Sequence, residues 1–151
     1  MNDDPLFWIS GSDTEMKAAI ENAQRTFPEF AKELEIESRR IVPALDEALV
    51  KAFFFEPGTP EQGEHMFVDE VRLEGKIVHG VLVGTPQFVT SLSEGQRVSI
   101  PVTRISDWFI VINGRGKGGH TLGVIAKQMG TSAYRKVANE PPFSWFAWRK
   151  V

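Results

Sequence analysis

Between Arg97 and Thr103, Val98, Ile100 and Val102 alternate with Arg97, Ser99, Pro101 and Thr103. A period of two sends successive side chains to opposite faces, so this segment reads as a half-buried β-strand. Pro101 cannot donate to a strand ladder, which places the segment at an edge or an interruption of a sheet. Other strand-like runs fill the middle of the chain. Leu49 to Phe55 stops at Glu56-Pro57-Gly58, a turn signal. After a polar loop from Thr59 to Gly63, His65 to Leu73 and Lys76 to Val83 form two strands around Glu74-Gly75, where glycine allows a tight hairpin. Ile105 to Ile112 is more continuously apolar and reads as a central strand.

Helical patterns flank this block. Ser12 and Glu15 have capping-box spacing, and Met16, Ala19, Ile20, Ala23 and Phe27 then recur on one face. Pro28 suits the start of a second short helix carrying Phe30, Ala31 and Leu34. Leu6 to Ile9 is a short strand-like opening, and a further helix from Thr121 points Leu122, Ile125, Ala126 and Met129 inward, with Gly130 as its C-cap. Strands in the middle and helices at the ends predict an α+β fold. The sheet is antiparallel with about five strands, packed with N-terminal helices and a helix after a glycine-rich loop. The 151 residues suit a single globular domain over 1–151.

That glycine-rich loop, Asn113 to His120, is the most distinctive local feature. Four of the six residues from Gly114 to Gly119 are glycine, with Arg115 and Lys117 between them. A loop feeding a helix N-terminus presents free amides and the positive end of the helix dipole to an anion. Arg115, Lys117, Gly118, Gly119, His120 and Thr121 are therefore candidate ligand-binding residues, with Thr121 placed to cap the helix. The loop is not a Walker A motif, because Lys117 is followed by Gly118, and no βαβ unit surrounds it as a dinucleotide site requires. A solvated turn is the competing reading.

Asp107 and Trp108 join the candidate set. A carboxylate beside a tryptophan suits an acid or base with a raised pKa, but it equally suits a carboxylate that accepts backbone amides. Glycosidic chemistry would need a second carboxylate nearby, and Glu64, Asp69 and Glu70 cannot be placed by sequence. His65, His79 and His120 match no zinc spacing, and no serine sits in a nucleophile elbow. No catalytic grouping, metal or cofactor is indicated.

Composition narrows the remainder. The absence of cysteine excludes disulfides and thiol chemistry and fits a reducing compartment. Net charge is −3, which argues against nucleic-acid binding through the phosphate backbone. Met1 to Gly11 lacks a basic start and no run is long enough to cross a bilayer, so the sequence points to the cytoplasm. The stretch from Pro141 to Val151 carries Phe143, Trp145, Phe146 and Trp148. It either folds back to complete the core or forms a homodimer or partner surface.

Several short motifs carry a family resemblance. Glu64-His65-Met66-Phe67-Val68, Ile77 to Leu82 followed by Pro86, Gly95, Ile105-Ser106-Asp107-Trp108 and Gly118-Gly119-His120-Thr121 resemble the bacterial YegJ-like domain-of-unknown-function family. The likeness runs over about 16–129, with Phe67 standing where the family is expected to carry tryptophan, and leaves the 141–151 extension outside. It implies a small α+β domain and no established activity, cofactor or catalytic residue. The functional expectation is a non-catalytic binding module for a protein partner, of adaptor or immunity type. The alternative is a binder of an anionic small molecule, or a hydrolase, using the glycine-rich loop.

Overall fold

The computed structural model describes residues 13–146. The opening at Leu6 to Ile9, Ser12 and Trp148 lie outside them. A single helix, α1 (Thr14–Ser38), opens the described chain. Its cap is Asp13, whose carboxylate accepts from Met16 N at 2.9 Å, rather than Ser12. The expected break at Pro28 does not occur, and the proline lies exposed inside α1. The reason is visible in the buried residues: Ala19, Ile20, Ala23, Phe27 and Phe30 form one stripe that keeps its phase through position 28. Burial of that stripe holds both halves of the helix on one sheet face despite the missing amide.

Six strands follow: β1 (Glu47–Glu56), β2 (Thr59–Glu74), β3 (Ile77–Val83), β4 (Arg97–Pro101), β5 (Ile105–Ile112) and β6 (Arg115–Gly118). They form one antiparallel sheet in the order β4-β3-β2-β1-β5-β6. The fold is α+β, as the segment order predicts, with β4 at an edge as Pro101 requires. Three details differ. Thr59 to Gly63 is not a loop, because β1 and β2 stay paired out to Glu56 and Thr59. Strand β5 lies next to one edge rather than at the centre. The glycine-rich segment supplies the sixth strand, pairing Arg115 with Ile112 and Gly118 with Phe109.

Two further helices follow, α2 (His120–Gln128) and α3 (Thr131–Val137). The second of these is absent from the sequence reading. Residue Met129 ends α2, and Gly130 follows at φ 82°, a left-handed backbone suited to glycine.

The core has two layers. On one face, Phe27 and Phe30 of α1 pack with Val50, Val68, Leu82 and Trp108. On the other, Phe109, Val111 and Leu122 meet Leu49, Phe67, Trp145 and Phe146. The described part of the aromatic C-terminus thus folds back: Trp145 and Phe146 lie 5.7 and 6.0 Å from the Phe109 ring. Aromatic coverage of the second face is why β5 is buried along nearly its whole length without being central. Among the described residues, no helix is long and apolar enough to cross a membrane.

Candidate functional site

The site is built around a break in the β1–β5 register. Lys51 pairs with Asp107 but Ala52 pairs with Ile105, so Ser106 is an extra residue. Such a bulge re-aims side chains. Here Ser106 and Asp107, both fully buried, meet groups beyond β5: Ser106 Oγ bonds His65 Nδ1 at 2.9 Å, and Asp107 reaches α2.

The amides that open α2 are not free. Asp107 Oδ1 accepts from His120 N at 3.0 Å and from Trp108 N at 2.8 Å. Its Oδ2 accepts from Thr121 N at 2.8 Å and from Thr121 Oγ1 at 2.5 Å. The N-cap position belongs to Gly119 at φ 67°, which offers no side chain. Thr121 is therefore inside the helix rather than its cap, and a carboxylate from the neighbouring strand does the capping.

Lys51 completes the cluster, with Nζ donating to Thr121 Oγ1 at 3.2 Å. Burial pushes its pKa below the ordinary lysine value, while the charge of Asp107 acts in the opposite direction. His65 is held down to about 4, first by burial and second by the Lys51 charge. It is therefore a neutral imidazole near pH 7. His79 sits elsewhere, opposite Arg72, whereas His65 faces Phe53, so the two histidines do not meet across the hairpin.

On the α1 side, Thr26 joins Trp108 to His120. Thr26 Oγ1 donates to Asn22 O at 2.6 Å. It must then accept both from Trp108 Nε1, at 3.2 Å, and from His120 Nε2, at 3.2 Å. His120 Nε2 therefore carries a proton in this arrangement. His120, Gly118 and Gly119 line a groove of about 580 Å³ between α1 and α2, together with Asn22, Glu15 and Lys127.

The structure thus gathers Asp107, Trp108, Gly118, Gly119, His120 and Thr121 in one place. Arg115 and Lys117 are not part of it; they stand exposed on β6, with no ion pair among the described residues. Lys51, His65 and Ser106 also belong to the cluster, and nothing in the sequence pattern groups them with it. One signal marks Lys51 by itself: it is the lone charge within Ala48 to Phe55. Its hydrogen-bond partner, however, is Thr121 on α2, and the charge beside it, Asp107, comes from a bulge, which leaves no mark in the pattern.

The glycines of β6 serve packing. A Cβ on Gly116 would lie 2.4 Å from the Phe146 ring, and one on Gly118 would lie 2.4 Å from Trp108 O. Gly116 thereby admits the C-terminal aromatic to the sheet, and Gly118, at φ 89°, admits the close turn into α2.

A protein of Neisseria meningitidis serogroup B (strain ATCC BAA-335 / MC58), named "Putative ankyrin repeat protein", is 39% identical over 130 residues. The aligned region is 85% of this chain and 51% of the relative, so the chain spans about half the relative's length. No solved structure matches. Over residues 13–141, which take in the whole of the polar cluster, the chain belongs to the family described as "Uncharacterized protein conserved in bacteria (DUF2314)".

Proposed function

We propose that this domain is a non-catalytic recognition module for a protein partner, of adaptor or immunity type, acting in the cytoplasm. One observation carries the reading: Asp107 already occupies the amides at the start of α2, while Arg115 and Lys117 remain exposed on the edge strand β6. An edge strand bearing two cations suits the addition of an extended acidic segment, with backbone hydrogen bonds for affinity and the cations for selectivity. The relative's name adds support, since ankyrin repeats stack into extended binding surfaces. The YegJ-like reading of the motifs belongs to this proposal, and the match to an uncharacterised bacterial family agrees with it at a coarser level.

The test is a photo-crosslinking residue at position 113, an exposed site just before β6, with captured proteins compared between a chain keeping Arg115 and Lys117 and the same chain carrying Arg115→Glu/Lys117→Glu. Loss of one specific crosslink at unchanged melting temperature supports the proposal. The same crosslink persisting in the charge-reversed chain removes β6 from it.

A second reading has its own observation. The α1–α2 groove, about 580 Å³, falls within the roughly 300–1,000 Å³ of small-molecule sites. In that reading His120, Gly118 and Gly119 contact a small anionic metabolite, with Asp107 and Trp108 behind them. A thermal-shift panel of phosphorylated and carboxylated metabolites separates the two, because a ligand of the native state raises its melting temperature. No shift across the panel sets this reading aside.

A further inference from the structure

The turn after α1 carries two branched aliphatic side chains into solvent: Ile41 is 98% exposed and Val42 76%. Single exposed apolar residues are ordinary, but these two are adjacent and their loop is braced. The Glu37 carboxylate accepts from Ala44 N and Leu45 N, both at 3.0 Å, and from Arg40 Nη1 at 2.9 Å. Both sides of the turn are therefore tied to one side chain. Arg39 stands beside the pair, its side chain 70% exposed and only loosely engaged with Glu35 at 3.7 Å. The segment is a fixed apolar knob with a cation at its side.

The sheet's second face carries the complementary shape. Leu49, Phe67, Val83, Phe109 and Trp145 line an apolar groove of about 260 Å³, rimmed by Glu47 and Asp69. Val83 remains 42% exposed there. The groove is smaller than a typical small-molecule site, roughly 300–1,000 Å³, and is on the scale of a few side chains. Its rim carries two carboxylates, while Lys51, the cation nearest its floor, lies over the Phe67 ring at 5.8 Å from the ring centre. Burial raises the Glu47 pKa, and the neighbouring charges of Asp69 and Asp46 raise it further. The rim is thus a place where an incoming cation is favoured.

Knob and groove are complementary in both polarity and charge. They also lie at one end of the molecule, because the Ile41–Val42 turn runs into β1, whose first residue is Glu47. We propose that a second copy of this chain fills the groove: Ile41 and Val42 of each copy seat on the partner's Leu49, Phe67 and Val83, with Arg39 facing Glu47 and Asp69. Two such contacts exchanged about a twofold axis form a closed, isologous dimer. The surface is distinct from the β6 edge, so the pairing stands independently of the recognition proposed above.

The dimer is reversible, since few residues contribute to it. Sedimentation velocity of the full chain over a range of concentrations is expected to show monomer passing into dimer and no larger species. Ile41→Asp and Val83→Asp each weaken dimerisation about tenfold or more, and Ile41→Asp, on an exposed turn, leaves the melting temperature unchanged. A mixing experiment is specific to the exchange. Arg39→Glu and the double variant Glu47→Arg/Asp69→Arg are each monomeric alone, because each places like charges face to face. Mixed, they form a heterodimer in which both exchanged contacts pair opposite charges. A parent chain that stays monomeric at every concentration overturns the proposal. So does a dimer that survives Ile41→Asp, a mass that keeps growing beyond dimer, or a mixture in which no heterodimer forms.

Discussion

Asp107 receives hydrogen bonds from three backbone amides and one hydroxyl while fully buried, so its negative charge is the centre of the polar cluster. Asparagine at this position has one acceptor oxygen and turns an NH₂ toward amides that also donate. Leaving buried donors unpaired costs about 1–3 kcal/mol each. Asp107→Asn is expected to destabilise the domain by about 3 kcal/mol, read as a lower urea midpoint with an unchanged m-value. A loss below about 0.5 kcal/mol would mean that the helix start finds other acceptors. Lys51 acts on the cluster from the other side, because its charge is the second cause, after burial, of the low His65 pKa. Lys51→Met removes the charge and keeps the stem. The His65 pKa, followed by NMR titration, is expected to rise from about 4 yet remain below the ordinary 6.5, since burial persists. An unchanged value would assign the whole effect to burial.

At the level of elements, most of the sheet was legible because burial on one face writes a period into a strand. The Arg97–Thr103 alternation predicted β4 and its edge position, and Glu74-Gly75 predicted the β2–β3 turn. Strand β6 was not legible. Gly116 and Gly118 have no side chains to alternate, so the segment reads as a loop, although its glycines are there for Phe146 and Trp108. Pro28 misled for the opposite reason: the local breaker was visible, while the in-phase stripe from Phe27 to Phe30 outweighed it. The site divides along the same line. Asp107, His120 and Thr121 were recognisable from their neighbours in sequence, whereas Lys51, His65 and Ser106 join them only through the β5 bulge and cross-strand contacts. The packing role of β6 is testable. Gly116→Ala is expected to cost about 1–3 kcal/mol, the range for overpacking a filled interior. Phe146→Leu in the same chain should recover part of that loss, a positive coupling in a double-mutant cycle. Additive effects would show that Phe146 does not meet position 116.

For the whole molecule, these local environments sum to a dependence of stability on pH, with a sign that can be worked out group by group. His65 has a folded pKa of about 4 against an ordinary 6.5. Between those values the unfolded chain binds a proton that the folded chain refuses, so stability falls as pH drops through the window. Glu47 has the opposite sign: its folded pKa is raised, by burial first and then by Asp69 and Asp46, and lowering the pH toward 4.5 relieves that strain. Glu64 adds a loss only at lower pH. Burial works against its charge, but the amides of Gln87, Phe88 and Val89 outweigh it and hold its pKa below 4.5. Its contribution disappears as pH falls below that value, releasing the segment between β3 and β4. The window from 6.5 to 4.5 therefore belongs mainly to His65, with Glu47 opposing it. A shift of this size corresponds to about 3 kcal/mol by pH 4. His65→Gln keeps a polar partner for Ser106 and does not titrate. Urea midpoints measured from pH 7 to pH 4 should fall more steeply for the parent chain than for His65→Gln, the two curves separating by about 3 kcal/mol at the acid end. Parallel curves would mean that His65 reaches water in the folded state, and the buried cluster would then lose its most pH-sensitive member.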